Sequence, residues 1–246
     1  MRCVPAEQSV ILQIGLNMYK RLAVIADIHG NFPALKAVIE AIRKLDCDAI
    51  LSLGDVAGYY CMINECIECC RSAGVFNVLG NHDSYLLTGT GCPRSMSANL
   101  CLEYQRQYIE PQNIQWLARS LPEYRDDYFW GVHGSWNNLL DDYLECFDFN
   151  RLPQPVRRVY ASAHTHVQKI QKAGITTYFN PGAVGQPRDN NPLAAFAVFV
   201  PPDQVTLYRV PYNIDEICQA MQSAGFEERY FTCLKNGTRI QTYKKV

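Results

Sequence analysis

No apolar run in the 246 residues approaches the ~20 needed to span a bilayer, and the longest, Leu193 to Val200, has the length of one buried strand. Charge of neither sign is in excess. Lys and Arg number 23 against 24 Asp and Glu, and the net charge of -1 excludes any general attraction to nucleic acid or an anionic membrane. Internal repeats, low-complexity tracts and linkers are missing too. Cysteine is plentiful, but eleven residues at irregular spacing do not form the framework of a small secreted disulfide domain. These features predict a reduced, soluble, cytoplasmic protein that does not engage a membrane.

With 48% hydrophobic residues, the chain can bury one sizeable core. The apolar stretch Val10 to Leu16 lacks a cleavage site and follows Glu7, so residues 1–17 are expected to be an N-terminal extension. Residues 18–246 are expected to form a single domain, with 210–246 as its C-terminal helix and tail. Self-association into a homo-oligomer stays open.

Leu22 to Ala26 is a strand-length apolar run, and Leu35, Val38, Ile39, Ile42 and Leu45 then recur at helical spacing behind Pro33. A second run, Ala49 to Leu53, completes a βαβ pattern, which repeats as a helix over 63–72 and a strand over 75–79. From about residue 120 short strands dominate: 128–132, 158–161, 167–172, 176–179, 194–200 and 204–210, with a hairpin at Ala173-Gly174. Helices are predicted over 113–120 and 214–224. The pattern is α/β, with parallel strands first and antiparallel strands later, packed as two sheets with helices outside.

Only five histidines are present, and each stands beside a carboxylate, a glycine or another histidine after an apolar run. Asp27-Ile28-His29 follows the first strand, Gly54-Asp55 the second and Gly80-Asn81-His82-Asp83 the third; His133-Gly134 and His164-Thr165-His166 follow later ones. Carboxyl ends of parallel strands open onto one crevice, so the first three groups converge. Residues two apart in extended backbone point to the same side, which lets Asp27 and His29 grip one ion and sets His164 beside His166. Imidazole, carboxylate and amide donors suit Mn, Fe, Zn, Ni or Co and argue against a thiolate site. Seven candidates, Asp27, His29, Asp55, Asn81, His133, His164 and His166, exceed the four ligands of a structural zinc. They suffice for two divalent metals with Asp55 as bridge.

Taken alone, Asp-x-His is usually a turn, His-x-His also occurs in amidohydrolase barrels, and His-Asp in all-helical phosphohydrolases. The ordered set is more specific. From about Lys20 to Val210 it resembles the five signature blocks of the calcineurin-like metallophosphoesterase superfamily. Asp27-Ile-His-Gly-Asn31 and Asn180-Pro-Gly-Ala-Val-Gly-Gln-Pro-Arg-Asp189 are similar to its small bacterial and archaeal branch, related to YfcE-type phosphodiesterases. Ala163 departs from the pattern, which has Gly there.

The resemblance implies a four-layer αββα sandwich. It implies one metal on Asp27, His29 and His166, a second on Asn81, His133 and His164, and Asp55 between them, with Mn the first choice. It also implies a phosphoesterase in which a hydroxide bridging the metals attacks a phosphomonoester or phosphodiester, favouring nucleotides or dinucleoside polyphosphates. His82 is then a general acid or transition-state stabiliser, with Asp83 orienting its ring or capping a helix. Arg188 can reach a substrate phosphate or be simply solvated, as loop arginines commonly are. Tyr59, Tyr60 and Trp136 can stack on a base or simply pack, and Cys66, Cys69 and Cys70 read as buried helix thiols. The rival readings are a serine/threonine protein phosphatase, which shares the metal chemistry, and a non-catalytic protein-binding module on the same fold. A nuclease fits poorly, because no Lys/Arg cluster flanks the motifs.

Overall fold

The computed structural model describes residues 19–240, so the extension expected over 1–17 lies outside the described residues. Ten strands and six α-helices follow in the order β1 (Leu22–Ile25), α1 (Phe32–Lys44), β2 (Ala49–Ser52), α2 (Ile63–Ser72), β3 (Phe76–Asn77), α3 (Asn81–Thr88), α4 (Met96–Tyr108), α5 (Pro111–Leu117), β4 (Tyr124–Arg125), β5 (Phe129–Gly131), β6 (Val159–Ala161), β7 (Lys169–Ala173), β8 (Thr176–Asn180), β9 (Ala194–Val200), β10 (Gln204–Val210) and α6 (Ile214–Ser223). Two short 3-10 turns, Glu228–Tyr230 and Thr232–Asn236, complete the described chain. The strands form two five-stranded mixed sheets, ordered β10-β9-β1-β2-β3 and β4-β5-β6-β8-β7.

The unbroken apolar run of β1 has a direct cause, since both of its faces are covered. Ala23 and Ile25 pack under α1 and α2 with Leu35, Val38, Ile39 and Ile67. Leu22 and Val24, with Phe199 of β9, face the second sheet, whose Phe129, Val159, Ala161 and Phe179 close the space between the layers. Helix α1 begins where the Asn31 side chain accepts from the Ala34 amide at 3.3 Å, with Pro33 in its first turn and Arg43 and Lys44 in its last. On the outer side of the second sheet, Trp130, Tyr160 and Tyr178 are covered by Phe147 and its neighbours from the irregular segment 135–152.

Three sequence expectations need correction. The later strands are not simply antiparallel: β5, β6 and β8 run parallel through the middle of the second sheet, because long crossover segments rather than tight turns join them. The third strand shrinks to two residues, extended only by an isolated bridge from Val78 to Leu121. Helix α4 was not anticipated, although Ser95 caps it by accepting from the Ala98 amide at 3.1 Å and Ala98, Cys101 and Leu102 carry helical spacing.

Phe129 is fully buried between the sheets, with ring centroids 5.5 Å from Phe199, 5.8 Å from Tyr124 and 6.0 Å from Phe179. Phe129→Ala is expected to lower unfolding free energy by about 3–5 kcal/mol in urea titrations. A loss below about 1 kcal/mol would mean that the inter-sheet layer does not depend on this ring.

Candidate metal centre

All seven candidate ligands sit at one edge of the two sheets, beyond the carboxyl ends of parallel strands. Asp27 and His29 follow β1, Asp55 follows β2 and Asn81 opens α3 after β3; His133 follows β5, and His164 and His166 follow β6. None is more than 2% exposed. The backbone that delivers them differs from the extended pairing expected from sequence. Asp27, His29, Asp55, His164 and His166 have φ of 52°, 53°, 59°, 63° and 62°, the left-handed region that side chains other than Gly, Asn, Asp and His seldom adopt. Each Asp-x-His or His-x-His pair therefore converges through two left-handed turns rather than through strand pleating.

Close backbone packing holds these turns. A methyl on Gly80 would stand 2.1 Å from Asp55 Oδ1, and one on Gly185 would stand 1.9 Å from the Ile28 carbonyl oxygen, so neither position has room for a side chain. Asp83 makes no hydrogen bond to the His82 ring and serves instead at the start of α3. Its carboxylate accepts from the amides of Asp55 at 2.9 Å, Ala57 at 2.9 Å and Gly80 at 3.1 Å, clamping the Asp55 loop to the start of α3. Gln105 on α4, not singled out from sequence, performs a parallel task. It accepts from the Gly58 amide at 3.0 Å and donates to the Tyr60 carbonyl at 2.6 Å.

The side chains form two groups. In one, His29 Nε2 and His166 Nε2 lie 3.1 Å apart, with Asp27 Oδ1 3.5 Å from His166 Nε2. In the other, His133 Nε2 lies 3.2 Å from His164 Nδ1 and 3.0 Å from Asn81 Oδ1. Asp55 joins them, since its Oδ2 is 3.7 Å from His29 Nε2 and 3.3 Å from His133 Nε2. The His82 amide donates to the other oxygen, Oδ1, at 2.8 Å and fixes the carboxylate's orientation.

The tautomers follow from the opposite ring nitrogens. Nδ1 of His29, His166 and His133 lies 2.8, 2.7 and 2.8 Å from the carbonyls of Ala57, Gln186 and Leu53. A carbonyl only accepts, so each Nδ1 carries a proton, and Nε2 of the neutral His29 and His166 rings presents a lone pair. Two lone pairs facing each other at 3.1 Å repel unless a cation lies between them. Both oxygens of Asp27 are likewise buried without a hydrogen-bond donor among the described residues, and Oδ2 of Asp55 faces only His133 and His29. This donor set fits divalent ions with a preference for nitrogen and oxygen.

Burial shapes the ionisation of the site. It pushes His29 and His166 well below the ordinary imidazole range and His82 down to about 4, leaving these rings neutral. Burial raises Asp27 to about 8, reinforced by the Asp55 charge. At His133, burial would lower the pKa, but the adjacent Asp55 carboxylate outweighs it and raises the value to about 9. Asp55 itself is held down by His133 and His82 against the upward push of burial.

A cavity of about 260 Å³ opens over the centre, with Asn81, His82, His164 and Arg188 in its wall. His82 packs its ring against Tyr59 and Tyr85, at 5.1 and 5.8 Å, and its Nδ1 has no partner among the described residues. Arg188 lies over Tyr59 at 5.3 Å and donates to Gln186 Oε1 at 2.6 Å, without an ion pair among the described residues. Tyr60 is packed in the core and Trp136 lies in the aromatic layer over the second sheet, so of the three rings considered for stacking only Tyr59 reaches the cavity. Cys66 and Cys70 are buried core thiols, whereas Cys69, also expected to be buried, is only half-buried because it lies toward the outer side of α2. The Ala163 methyl packs in the inter-sheet layer. Arg94, Tyr143 and Arg239 also line the cavity. Arg94 and Tyr143 lie in the loops Gly89 to Ala98 and Trp136 to Leu144, where substrate specificity is expected from sequence, but no motif marks the residues themselves and nothing in the sequence points to Arg239.

At pH 7 the metal-free protein keeps protons on Asp27 and His133, whose pKa values are raised to about 8 and 9. A divalent ion must displace both protons, so apparent Mn affinity is expected to rise from pH 6.5 to 9 and then level off. Free Mn measured by electron paramagnetic resonance at fixed total metal checks this. A pH-independent affinity would contradict it.

The calcineurin-like phosphoesterase superfamily domain matches residues 21–200 of the chain. An uncharacterized protein of Methanocaldococcus jannaschii is 30% identical over 216 residues, spanning 78% of this chain and 88% of its own. A metallophosphoesterase structure from Sphaerobacter thermophilus superposes with a TM-score of 0.76 at 28% identity, covering 89% of this chain and 100% of that one. A hypothetical protein from Pyrococcus horikoshii reaches 0.77 at 20% identity over 89% of this chain and 99% of its own, a likeness of fold. The domain match runs from β1 to the end of β9 and takes in every candidate ligand. The chain belongs to the calcineurin-like phosphoesterase superfamily.

Proposed function

We propose that this protein is a binuclear metal-dependent phosphoesterase that hydrolyses a small phosphomonoester or phosphodiester, with a nucleotide or dinucleoside polyphosphate as natural substrate. The observation that carries this reading is the pair of ligand groups joined through Asp55 beside a cavity whose wall holds Asn81, His164 and Arg188, the last without an ion-pair partner among the described residues. Asp27, His29 and His166 would hold one ion, and Asn81, His133 and His164 the other, with Asp55 shared. Mn is the proposed metal, and the same donors accommodate Fe, Zn, Ni or Co. When bound, two divalent ions supply a water nucleophile activated near neutral pH and neutralise charge on the phosphoryl oxygens.

The chain's own groups do the rest. His82 is held neutral by burial and offers one N–H toward a phosphoryl or departing oxygen, which favours a stabilising hydrogen bond over a standing positive charge. Arg188, stacked on Tyr59 and steered by Gln186, presents a fixed guanidinium to a phosphate oxygen. Asp83 acts at one remove, by fixing the loop that carries Asp55. The described cysteines are unpaired and no described helix is long and apolar enough to cross a membrane. We place the enzyme in the cytoplasm, acting on a dissolved phosphate ester.

Hydrolysis of p-nitrophenyl phosphate and bis-p-nitrophenyl phosphate by metal-stripped protein, before and after Mn is added, tests the proposal. Turnover is expected only with Mn, and Asp55→Asn is expected to abolish it while weakening both metals together. Metal binding without turnover of either ester would count against phosphoesterase activity and favour a binding module. His82→Ala is expected to retain both metals and lose ~100-fold in kcat; an unchanged kcat would remove His82 from the chemistry.

A further inference from the structure

One wall of the cavity is built around Tyr143. Its ring centroid lies 4.1 Å from that of His164, so the tyrosine rests directly on one of the candidate ligands. The guanidinium of Arg94 lies over the Tyr143 ring at 5.3 Å and that of Arg239 at 5.9 Å. These two arginines come from distant parts of the chain, one from the segment before α4 and the other from beyond the last 3-10 turn. The C-terminal segment is docked rather than trailing. The Asn190 amide donates to the Gly237 carbonyl at 3.0 Å, Phe231 and Leu234 are buried, and Gly237 turns with φ of 62° against the backbone of Asn191.

The charges at this wall do not balance. Arg94 is paired with Asp141 at 2.6 Å, and Tyr85 donates to the same carboxylate oxygen at 2.8 Å. Neither Arg188 nor Arg239 makes an ion pair among the described residues. Three guanidinium groups against one carboxylate leave an excess of two positive charges beside the metal ligands. A phosphoryl group reacting over Asn81, His82 and His164 would leave Arg94 and Arg239 facing whatever comes next in the substrate. Past them lies a second cavity of about 290 Å³, which shares Tyr143 and Arg239 with the first and is lined further by Leu144, Val167 and Tyr178. The order along the surface is thus reaction centre, cationic tyrosine wall, then a partly apolar pocket.

We propose that Arg94 and Arg239 form a subsite for a second phosphate group, so that the preferred substrate is a nucleoside di- or polyphosphate whose terminal phosphate is hydrolysed and whose nucleoside enters the second cavity. This rests on the phosphoesterase reading and adds the residues that choose among its substrates. Guanidinium groups suit the task because they bind phosphate oxygens through paired N–H groups and stay charged throughout the accessible pH range. Tyr143 holds both guanidinium planes by cation–π contact, limiting the freedom each must lose when phosphate arrives.

ADP and AMP share the same nucleoside and differ by one phosphate, so their comparison isolates the subsite. With the Mn-loaded protein, kcat/KM for ADP is expected to exceed that for AMP by tenfold or more, mainly through KM. Arg239→Ala and Arg94→Ala are each expected to reduce that ratio by roughly tenfold, the loss associated with one charge-assisted contact, and Arg239→Lys to restore part of it. Calorimetric titration of both nucleotides into chelator-treated protein gives a second readout that needs no turnover. There ADP is expected to bind more tightly than AMP, and Arg239→Ala to remove the difference. If the wild-type protein treats ADP and AMP alike in both measurements, or if both alanine variants keep the wild-type preference, the subsite is refuted. A protein that hydrolyses nothing yet keeps the arginine-dependent preference in calorimetry would refute the phosphoesterase reading and leave the subsite standing.

Discussion

The structure is organised around a local repulsion. Neutral imidazoles of His29 and His166, each with its proton committed to a backbone carbonyl, direct lone pairs at one another across 3.1 Å. Asp27 lies buried beside them with no donor to either oxygen among the described residues. In a water-excluded setting such groups are costly to bring together. Cations are the complement that turns each unfavourable contact into a favourable one, and the same cations are what a phosphate ester would meet. Stability and chemistry depend here on the same atoms.

That arrangement accounts for the unusual backbone nearby. Five of the seven candidate ligands are left-handed, a conformation that costs about 1–3 kcal/mol for a strained residue, though Asp and His are among the side chains that tolerate it best. Other groups hold the turns in place. The Asp83 carboxylate ties three amides together, Gln105 bridges Gly58 and Tyr60, and Gly80 and Gly185 permit contacts that no side chain would allow. The two sheets contribute rigidity. Their parallel strands end at one edge, and the Phe129, Phe179 and Phe199 layer between them fixes the distance across which the β1 and β6 loops meet.

The identity of the centre was legible in sequence because its residues come in short blocks after apolar runs, and the helix over Ile63–Ser72 and the strands Ala194–Val200 and Gln204–Val210 were legible through periodicity and bounding turns. How the blocks converge was not legible. Alternation along a strand explains Asp27 with His29 only if the strand continues, whereas β1 ends at Ile25 and left-handed turns take over. Asp83 looked like a partner for His82 because the two are adjacent, but its position in the first turn of α3 commits it to backbone amides. The loops that carry Arg94 and Tyr143 were legible as specificity segments, but the roles of these residues and of Arg239 were not, for another reason. Each is an ordinary residue in an irregular segment, and only the docking of the C-terminal segment places Arg239 opposite Arg94.

Cations between facing imidazoles are the central claim, and anomalous scattering at the Mn edge from crystals soaked in Mn tests it most directly. Two peaks per chain are predicted, one among Asp27, His29 and His166 and the other among Asn81, His133 and His164, both in contact with Asp55. A single peak, or metal bound elsewhere while the two histidine pairs keep their separation, would contradict the claim.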